Sequence, residues 1–227
     1  MLRSITARWA FVSCVVVGAL LLLVVGAGLR PALLPAPDTE VGRTSLTPTE
    51  IGFAQDMATH HEQAVFLVQN LGDDVAPEIA ELGRRIASSQ MVEIGTMRGW
   101  LTLVDEPWTS AQPMSWMHPG QTSSGHSHGG ASEAGSTTPA GAMPGMASWG
   151  EINTLGASTG RDAEVRFLQL MARHHEGGID MATAALESDL SDPVRRTVQA
   201  MVQEQTKELG YIGLLLSQRD APPLPYP

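Results

Sequence analysis

Two copies of a short motif contain the residues of this 227-residue chain that are best suited to chemistry. Each copy is a methionine followed three and four residues later by two adjacent histidines: Met57, His60 and His61 in one, and Met171, His174 and His175 in the other. Residues at this spacing share one face of a helix, so each thioether would lie one turn from two imidazoles. Thioether and imidazole together suit Cu(I), and by softness Ag(I), better than Mg²⁺ or Ca²⁺. The motif therefore predicts a soft-metal site, with Cu(I) as the favoured ion.

A glutamine and a glutamate recur on the apolar stripe of the segment that follows each histidine pair. They are Gln90 and Glu93 in the first copy and Gln205 and Glu208 in the second. A carboxylate on a buried face is costly unless it is paired. We expect Glu93 and Glu208 to hydrogen-bond and orient imidazoles, with the two glutamines close to the same ligands.

Three interpretations of this pattern remain open. In the first, His and Glu satisfy each other in a structural layer of a non-catalytic interaction or scaffold module. The second is the metal site, and the third is a di-iron centre or other metal-dependent oxidase. Di-iron bundles carry Glu-x-x-His on two helices, whereas Glu62 and Glu176 directly follow the histidines here. Since no nucleophile–base set or nucleotide motif is visible either, we do not expect an enzyme.

A second group of methionines and histidines lies between the two copies. Residues 105–157 are rich in Gly, Ser, Pro and Ala, which predicts a flexible crossover. Within it are Met114, Met117, His118, His126, His128, Met143 and Met146. Methionine in a flexible segment has no core to fill. These residues are therefore interpreted as auxiliary copper ligands that capture metal for the core site, with compositional drift as the alternative.

The elements that would position these residues are four helices. Thr47-Pro48-Thr49-Glu50 has the form of a capping box with proline at the first helical position. The predicted helices span about 48–71, 76–104, 159–187 and 192–218, after a tether at 31–47 and before a Pro-rich tail at 219–227. Short links within each pair and one long crossover between them predict a ferritin-like four-helix bundle over 48–218, made of hairpins at about 48–104 and 159–218.

The two hairpins are copies of one another. Phe53 to Glu62 aligns with Phe167 to Glu176 at a constant offset of 114, and the second helices align at an offset of 115. Such a match indicates an internal duplication, so the hairpins should pack with pseudo-two-fold symmetry. The glycines Gly177 and Gly178 interrupt the second copy at a cost of about 1 kcal/mol each relative to alanine. We expect them to allow close approach of a neighbouring helix or a ligand.

The first thirty residues are expected to lie outside the fold. Trp9–Leu29 carries no charge and is long enough to span a bilayer. Arg3 and Arg8 precede this run and would keep the N-terminus in the cytoplasm. This predicts a single-pass signal-anchor in the cell membrane with the bundle outside the cytoplasm. Secretion after cleavage near Ala36 is the alternative.

Composition excludes several classes of protein. The formal net charge is −10, which argues against nucleic-acid binding. A single cysteine excludes an internal disulfide framework and a Cys-cluster zinc site. The expected partners are metal ions and the membrane, with a homo-oligomer or a metal-exchange protein also compatible with the sequence.

The motif resembles that of a bacterial family of exported, ferritin-like domains of unknown function that includes CopM-like copper-binding proteins. The resemblance covers about residues 46–218 and is closer in the second copy, because the first has Phe66-Leu67 where the family pattern suggests Asp-Met. The segment from Gln90 to Leu101 also fits the family's second helix. The resemblance implies binding of, or tolerance to, copper and also silver, for sequestration or transfer.

Overall fold

The computed structural model describes residues 45–117 and 143–226, which form helices and no strand. There are five α-helices in this part of the chain: α1 (Pro48–Gln69), α2 (Pro77–Leu103), α3 (Trp149–Ala157), α4 (Gly160–Leu186) and α5 (Asp192–Ser217), with a 3₁₀ turn at Ser115–Met117. The four long helices begin and end close to the positions that the sequence predicts. The all-helical fold class is thereby confirmed.

Local chemistry explains where α1 begins. The Thr47 hydroxyl accepts the Glu50 N–H at 3.2 Å, and the Glu50 carboxylate accepts the Thr47 N–H at 2.7 Å. Both contacts of the predicted capping box are therefore present, and they satisfy donors that a helix start otherwise leaves unpaired. Pro48 and Pro77 stand in the first turns of α1 and α2, where a missing N–H costs nothing.

The long helices pack as two antiparallel hairpins. Within the first hairpin His61 contacts Glu93 while Val68 lies against Gly83, so α1 and α2 run in opposite directions. Helices α4 and α5 form the second hairpin, and the hairpins meet mainly through α1 and α4. The core has two clusters of buried side chains, one that includes Phe53 and one that includes Phe167.

Two buried glutamates connect the hairpins reciprocally. Glu50 of α1 accepts the main-chain N–H of Ser191, the residue before α5, at 2.7 Å. Glu164 of α4 accepts the N–H of Ala76, the residue before α2, also at 2.7 Å. Each hairpin thus supplies a carboxylate to the helix start of the other, where negative charge is favourable.

The crossover is more ordered at its two ends than its composition predicts. The expectation of flexible chain throughout 105–157 is wrong at α3, whose capping box pairs Ser148 with Glu151 and whose apolar side chains Ile152 and Leu155 join the core. Short helices become stable through such packing rather than through propensity.

The predicted membrane segment at 1–30 lies outside the described residues, as does most of the tether. Among residues 45–117 and 143–226, no helix is both long and apolar enough to cross a bilayer.

Candidate metal centre

Four completely buried imidazoles form a layer where α1 meets α4. This histidine layer consists of His60, His61, His174 and His175. The rings of His60 and His174 stack across the two hairpins with centroids 3.9 Å apart and an angle of 33° between their planes. On each helix the neighbouring rings are farther apart, at 6.4 Å between His60 and His61 and 6.3 Å between His174 and His175. The structure therefore brings both predicted histidine pairs into one place.

The outer histidines are held by the two predicted glutamates. His61 Nε2 lies 2.6 Å from a Glu93 carboxylate oxygen, and His175 Nε2 lies 2.7 Å from Glu208. The predicted pairing of each Glu with a His is confirmed by these contacts. Since a carboxylate accepts, Nε2 is the donor in both rings, and in the neutral form of the imidazole Nδ1 then has a free lone pair.

Main-chain carbonyls hold the inner histidines. His60 Nε2 donates to the carbonyl of Pro144 and His174 Nε2 donates to the carbonyl of His60, both at 3.0 Å. Burial, and then the nearby charge of His61, lower the pKa of His60 from 6.5 to about 3. Burial, and then the charge of His60, bring the pKa of His174 well below its usual value. Both rings are therefore neutral at physiological pH and keep the proton on Nε2.

In all four rings of the histidine layer, the nitrogen that makes the hydrogen bond is Nε2. All four Nδ1 atoms are buried and have no hydrogen-bond partner among the described residues. A buried nitrogen lone pair without a partner is costly unless something binds to it. Histidines that bind metals use one ring nitrogen for the metal and the other for a carboxylate or carbonyl, which is the arrangement of these four rings.

The layer alone does not assemble a complete cation cage. Within residues 45–117 and 143–226, no three or more His, Cys, Asp or Glu side chains are grouped so as to hold a metal ion. Hard divalent ions need more ligands than this, whereas Cu(I) and Ag(I) accept thioether and imidazole in small sets. The imidazoles of the layer and the thioethers of Met57 and Met171 are donors of the kind that these soft ions accept.

The two predicted core methionines are buried, but in different parts of the core. Met57 packs in the cluster of Phe53, and Met171 packs in the cluster of Phe167. Each lies one helical turn before its own histidine pair. Each methionine thus shares a helix with its own histidine pair and lies in a different cluster from the other methionine.

The two predicted glutamines are buried, and they do not bond to the histidines. Neither amide of Gln90 or Gln205 has a hydrogen-bond partner in the described chain. The Gln205 amide lies over Gly178, where an added Cβ would be 2.3 Å from its oxygen. The expected close approach at Gly178 is therefore that of a polar side chain.

Residues that the sequence analysis missed attach the crossover to α1. One Asp56 oxygen accepts the N–H of Met114 at 2.6 Å and the indole N–H of Trp116 at 2.8 Å. Gln63 accepts the N–H of Ala147 at 2.6 Å and donates to its carbonyl at 2.9 Å. Asp56, His60 and Gln63 share one face of α1, so this face binds both ends of the crossover.

Gly177 of α4, which precedes Gly178, makes room for this docking of the crossover. A Cβ at Gly177 would lie 2.1 Å from the carbonyl oxygen of Pro144, the same oxygen that accepts from His60. Gly145 beside it has a φ of +73°, a conformation that favours glycine. The sequence contains one signal for this docking, because Asp56 and Gln63 are not repeated in the second copy. Their equivalents there are Leu170 and Gly177.

The crossover methionines do have a core to fill. Met114, Met117 and Met143 are partly buried and pack against the cluster that contains Met57. Met146 is half-buried near α4. The interpretation of these four as part of a free arm is therefore wrong, since packing holds at least three of them. The remaining predicted auxiliary ligands, His118, His126 and His128, lie outside the described residues.

Sequence and structure comparisons agree on one family. The family described as Domain of unknown function (DUF305) matches residues 50–215. A DUF305 protein from Streptomyces coelicolor that is proposed to be secreted is 34% identical, with a TM-score of 0.66 over 78% of this chain and 96% of that chain. No curated protein matches this chain.

Two further solved structures show the same fold at lower identity. A DUF305 fragment from Deinococcus radiodurans is 24% identical, with a TM-score of 0.59 over 76% of this chain and 98% of that one. CopM in its Cu(II)-bound form is 16% identical, with a TM-score of 0.52 over 74% of this chain and 96% of that one. These descriptions name a secreted protein and a copper-bound protein, and none names a reaction.

Proposed function

We propose, on the premise that this chain belongs to the DUF305 family, that it is an exported protein that binds copper through its histidine layer. The ion would be held for sequestration, tolerance or transfer, without catalysis. Its arrangement of two hairpins joined by one long crossover is then a ferritin-like bundle that carries metal as cargo. The Streptomyces coelicolor relative, which is proposed to be secreted, supports a location outside the cytoplasm.

The observation that carries this proposal is the set of four buried Nδ1 atoms without hydrogen-bond partners among the described residues. Carbonyls and carboxylates occupy every Nε2, so in each neutral ring the lone pair of Nδ1 is left for an ion. A purely structural layer would gain stability by satisfying both nitrogens of each ring. Leaving four unsatisfied is understandable if a bound ion completes them.

The donor chemistry favours Cu(I), with Ag(I) as a second candidate. Met57 and Met171 each add a thioether one turn from a histidine pair, and thioethers select soft ions. Copper is also the metal of a neighbour that shares this fold, since CopM has been solved with Cu(II) bound. Met114, Met117 and Met143 would be auxiliary, because they pack on the same cluster as Met57.

Titration of the full chain with Cu(I) and with Ag(I), against a competing chelator, tests the proposal. A variant with all four histidines of the layer changed to Gln should bind at least about tenfold more weakly. Glutamine keeps an N–H donor near the position of Nε2 but has no counterpart of Nδ1. The matched control is Met91→Leu, because Met91 is 61% exposed on α2.

Thermal unfolding of the unaltered chain gives a second, independent readout. An ion that binds only the folded state raises the melting temperature with increasing ion concentration. If Cu(I) and Ag(I) neither raise the melting temperature nor bind more tightly than to the four-Gln variant, the layer is structural. In that case the chain is better described as a helical interaction module.

A further inference from the structure

The internal repeat extends past the second helix of each hairpin, beyond the histidine motif. Gln55 of α1 donates to the carbonyl of Pro107 at 2.7 Å, and its equivalent Gln169 of α4 donates to the carbonyl of Pro222 at 2.7 Å. The segments after α2 and α5 are therefore fastened to the preceding hairpin by the same hydrogen bond.

The ends of these helices also repeat. Asp105 and Asp220, which correspond at the offset of 115, both have positive φ, at 60° and 48°. The N–H that follows each of them bonds back to a leucine carbonyl in the last turn of the helix, at 2.9 Å after α2 and 3.1 Å after α5. Side chains beyond the motif can thus be compared position by position.

In the first hairpin a guanidinium occupies the space between the helices and this end segment. Arg98 of α2 donates to the Glu62 carboxylate of α1. The Arg98 guanidinium carbon lies 4.9 Å from the centre of the Trp108 ring, within the range of a cation–π contact. One cation therefore satisfies a carboxylate on one side and an aromatic face on the other.

The second hairpin keeps the carboxylate that binds this cation but lacks the cation and the aromatic ring. Glu176 stands where Glu62 does, Pro223 stands where Trp108 does, and the position of Arg98 is taken by Gly213. A Cβ at Gly213 would meet no atom within 4 Å. A cavity of about 540 Å³ lies here, lined by Ala172, Glu176, Leu209, Gly213, Leu216, Ser217, Asp220, Ala221 and Pro223.

We propose that this cavity binds a small organic cation that carries a guanidinium group, which takes the place of the missing arginine side chain. Glu176 has no cationic partner among residues 45–117 and 143–226, whereas Glu62 has one. The cavity has the size of a site for a small molecule. None of the four histidines lines this cavity, although Glu176 directly follows His175 on α4, so the test is made with metal removed.

The electrostatics of the cavity are consistent with a cationic occupant. Burial, and then the nearby charge of Asp180, raise the pKa of Glu176. A cation beside Glu176 would relieve both effects, because it would compensate the buried charge.

Calorimetric titration of the full chain with agmatine, in the presence of a metal chelator, tests this assignment. Saturable binding is expected, and Glu176→Gln should weaken it by about tenfold or more, because a charge-assisted hydrogen bond is lost. Glu62→Gln, at the equivalent position in the first hairpin, is the matched control and should bind agmatine as the unaltered chain does. N-butylurea, which has no charge, should not bind.

A second pair of variants tests the same site by filling it. Gly213→Arg restores the side chain of the first hairpin and should abolish agmatine binding, whereas Gly210→Arg, also on α5 and also in open space, should not. The proposal is overturned if the unaltered chain does not bind agmatine, if N-butylurea binds equally well, or if Glu176→Gln and Gly213→Arg both bind normally. None of these outcomes bears on Cu(I) binding, so failure here leaves the metal proposal to its own test.

Discussion

His174 donates its Nε2 proton to the main-chain oxygen of His60, while the two rings stack with centroids 3.9 Å apart. The reverse bond is not made, because His60 donates to Pro144 of the crossover instead. One inner histidine is thus held by the helices alone and the other by the crossover. The repeat is symmetric in sequence at this point and asymmetric in its hydrogen bonds.

Gly177→Ala should detach the crossover from the histidine layer. Its methyl group would lie 2.1 Å from the Pro144 carbonyl oxygen, so the main chain there must shift. We expect a loss of about 1–3 kcal/mol in the free energy of unfolding, measured by urea denaturation. The control is Gly210→Ala, where nothing lies within 4 Å and the change should stabilise α5 by about 0.5–1 kcal/mol. Equal stability of the two variants would contradict the docking described for Pro144.

Acidification should destabilise the protein before its carboxylates titrate. Below pH 6.5 the unfolded chain protonates His60, whereas the folded chain keeps it neutral down to about pH 3. The unfolded state then binds more protons, so the free energy of unfolding falls with pH, by up to about 1.4 kcal/mol per unit for this residue. His174 acts in the same direction.

Urea denaturation at several pH values between 7.5 and 5 measures this slope, with His60→Gln as the comparison. The variant cannot take up the proton but can still donate to Pro144. Its stability should therefore depend less on pH than that of the unaltered chain. A slope that does not change in the variant would mean that His60 is not the group responsible.

Glu93→Gln and Glu208→Gln should each weaken Cu(I) binding if the histidine layer is the metal site. The amide oxygen can still accept the Nε2 proton, but the negative charge that makes the imidazole a better ligand is lost. We expect a decrease in affinity of about tenfold in each variant, measured by competition with a Cu(I) chelator. Glu204→Gln is the control, because its carboxylate is exposed on α5 and, among the described residues, forms an ion pair only with Lys207. An unchanged affinity in both variants would argue that Glu93 and Glu208 have a structural role only.

Removal of the Glu50 carboxylate, which bonds to the helix starts of both hairpins, should lower the free energy of unfolding. Glu50→Ala leaves the main-chain N–H groups of Thr47 and Ser191 without their acceptor. We expect the free energy of unfolding to fall by about 2 kcal/mol. Glu81→Ala serves as the control, because Glu81 is exposed and its carboxylate bonds to no side chain of the described residues except the exposed Arg84. This substitution should cost less than about 0.5 kcal/mol. If both substitutions cost the same, the contact between the hairpins contributes little.

Local signals made much of the fold predictable. A capping box or a proline marks the beginning of α1, α2 and α5, and the duplicated spacing of the histidines indicates which faces are buried. The Glu–His pairing was predictable because a carboxylate on an apolar stripe needs a partner, and His61 and His175 were the polar groups within reach. The family match and the all-helical fold agree with these expectations.

Contacts between distant parts of the chain were not predictable in the same way. Asp56 and Trp116 are 60 residues apart, and Gln63 and Ala147 are 84 apart, so no periodicity connects them. Helix α3 was missed because the composition around it is typical of flexible linkers, although Ser148 and Glu151 have the spacing of a capping box. Composition averages over a segment, whereas a helix of nine residues depends on a few side chains.

The exchange of glutamates between the hairpins has a consequence for how such a protein could arise. A chain with a single hairpin could bury the equivalents of Glu50 and Glu164 only by associating with a second copy of itself across a two-fold axis. Joining the two units in one chain replaces an association that depends on protein concentration with one that does not. It also allows the two halves to differ, as Arg98 and Gly213 do at equivalent positions. A duplication with fusion would thus place both halves of a homodimer in one chain.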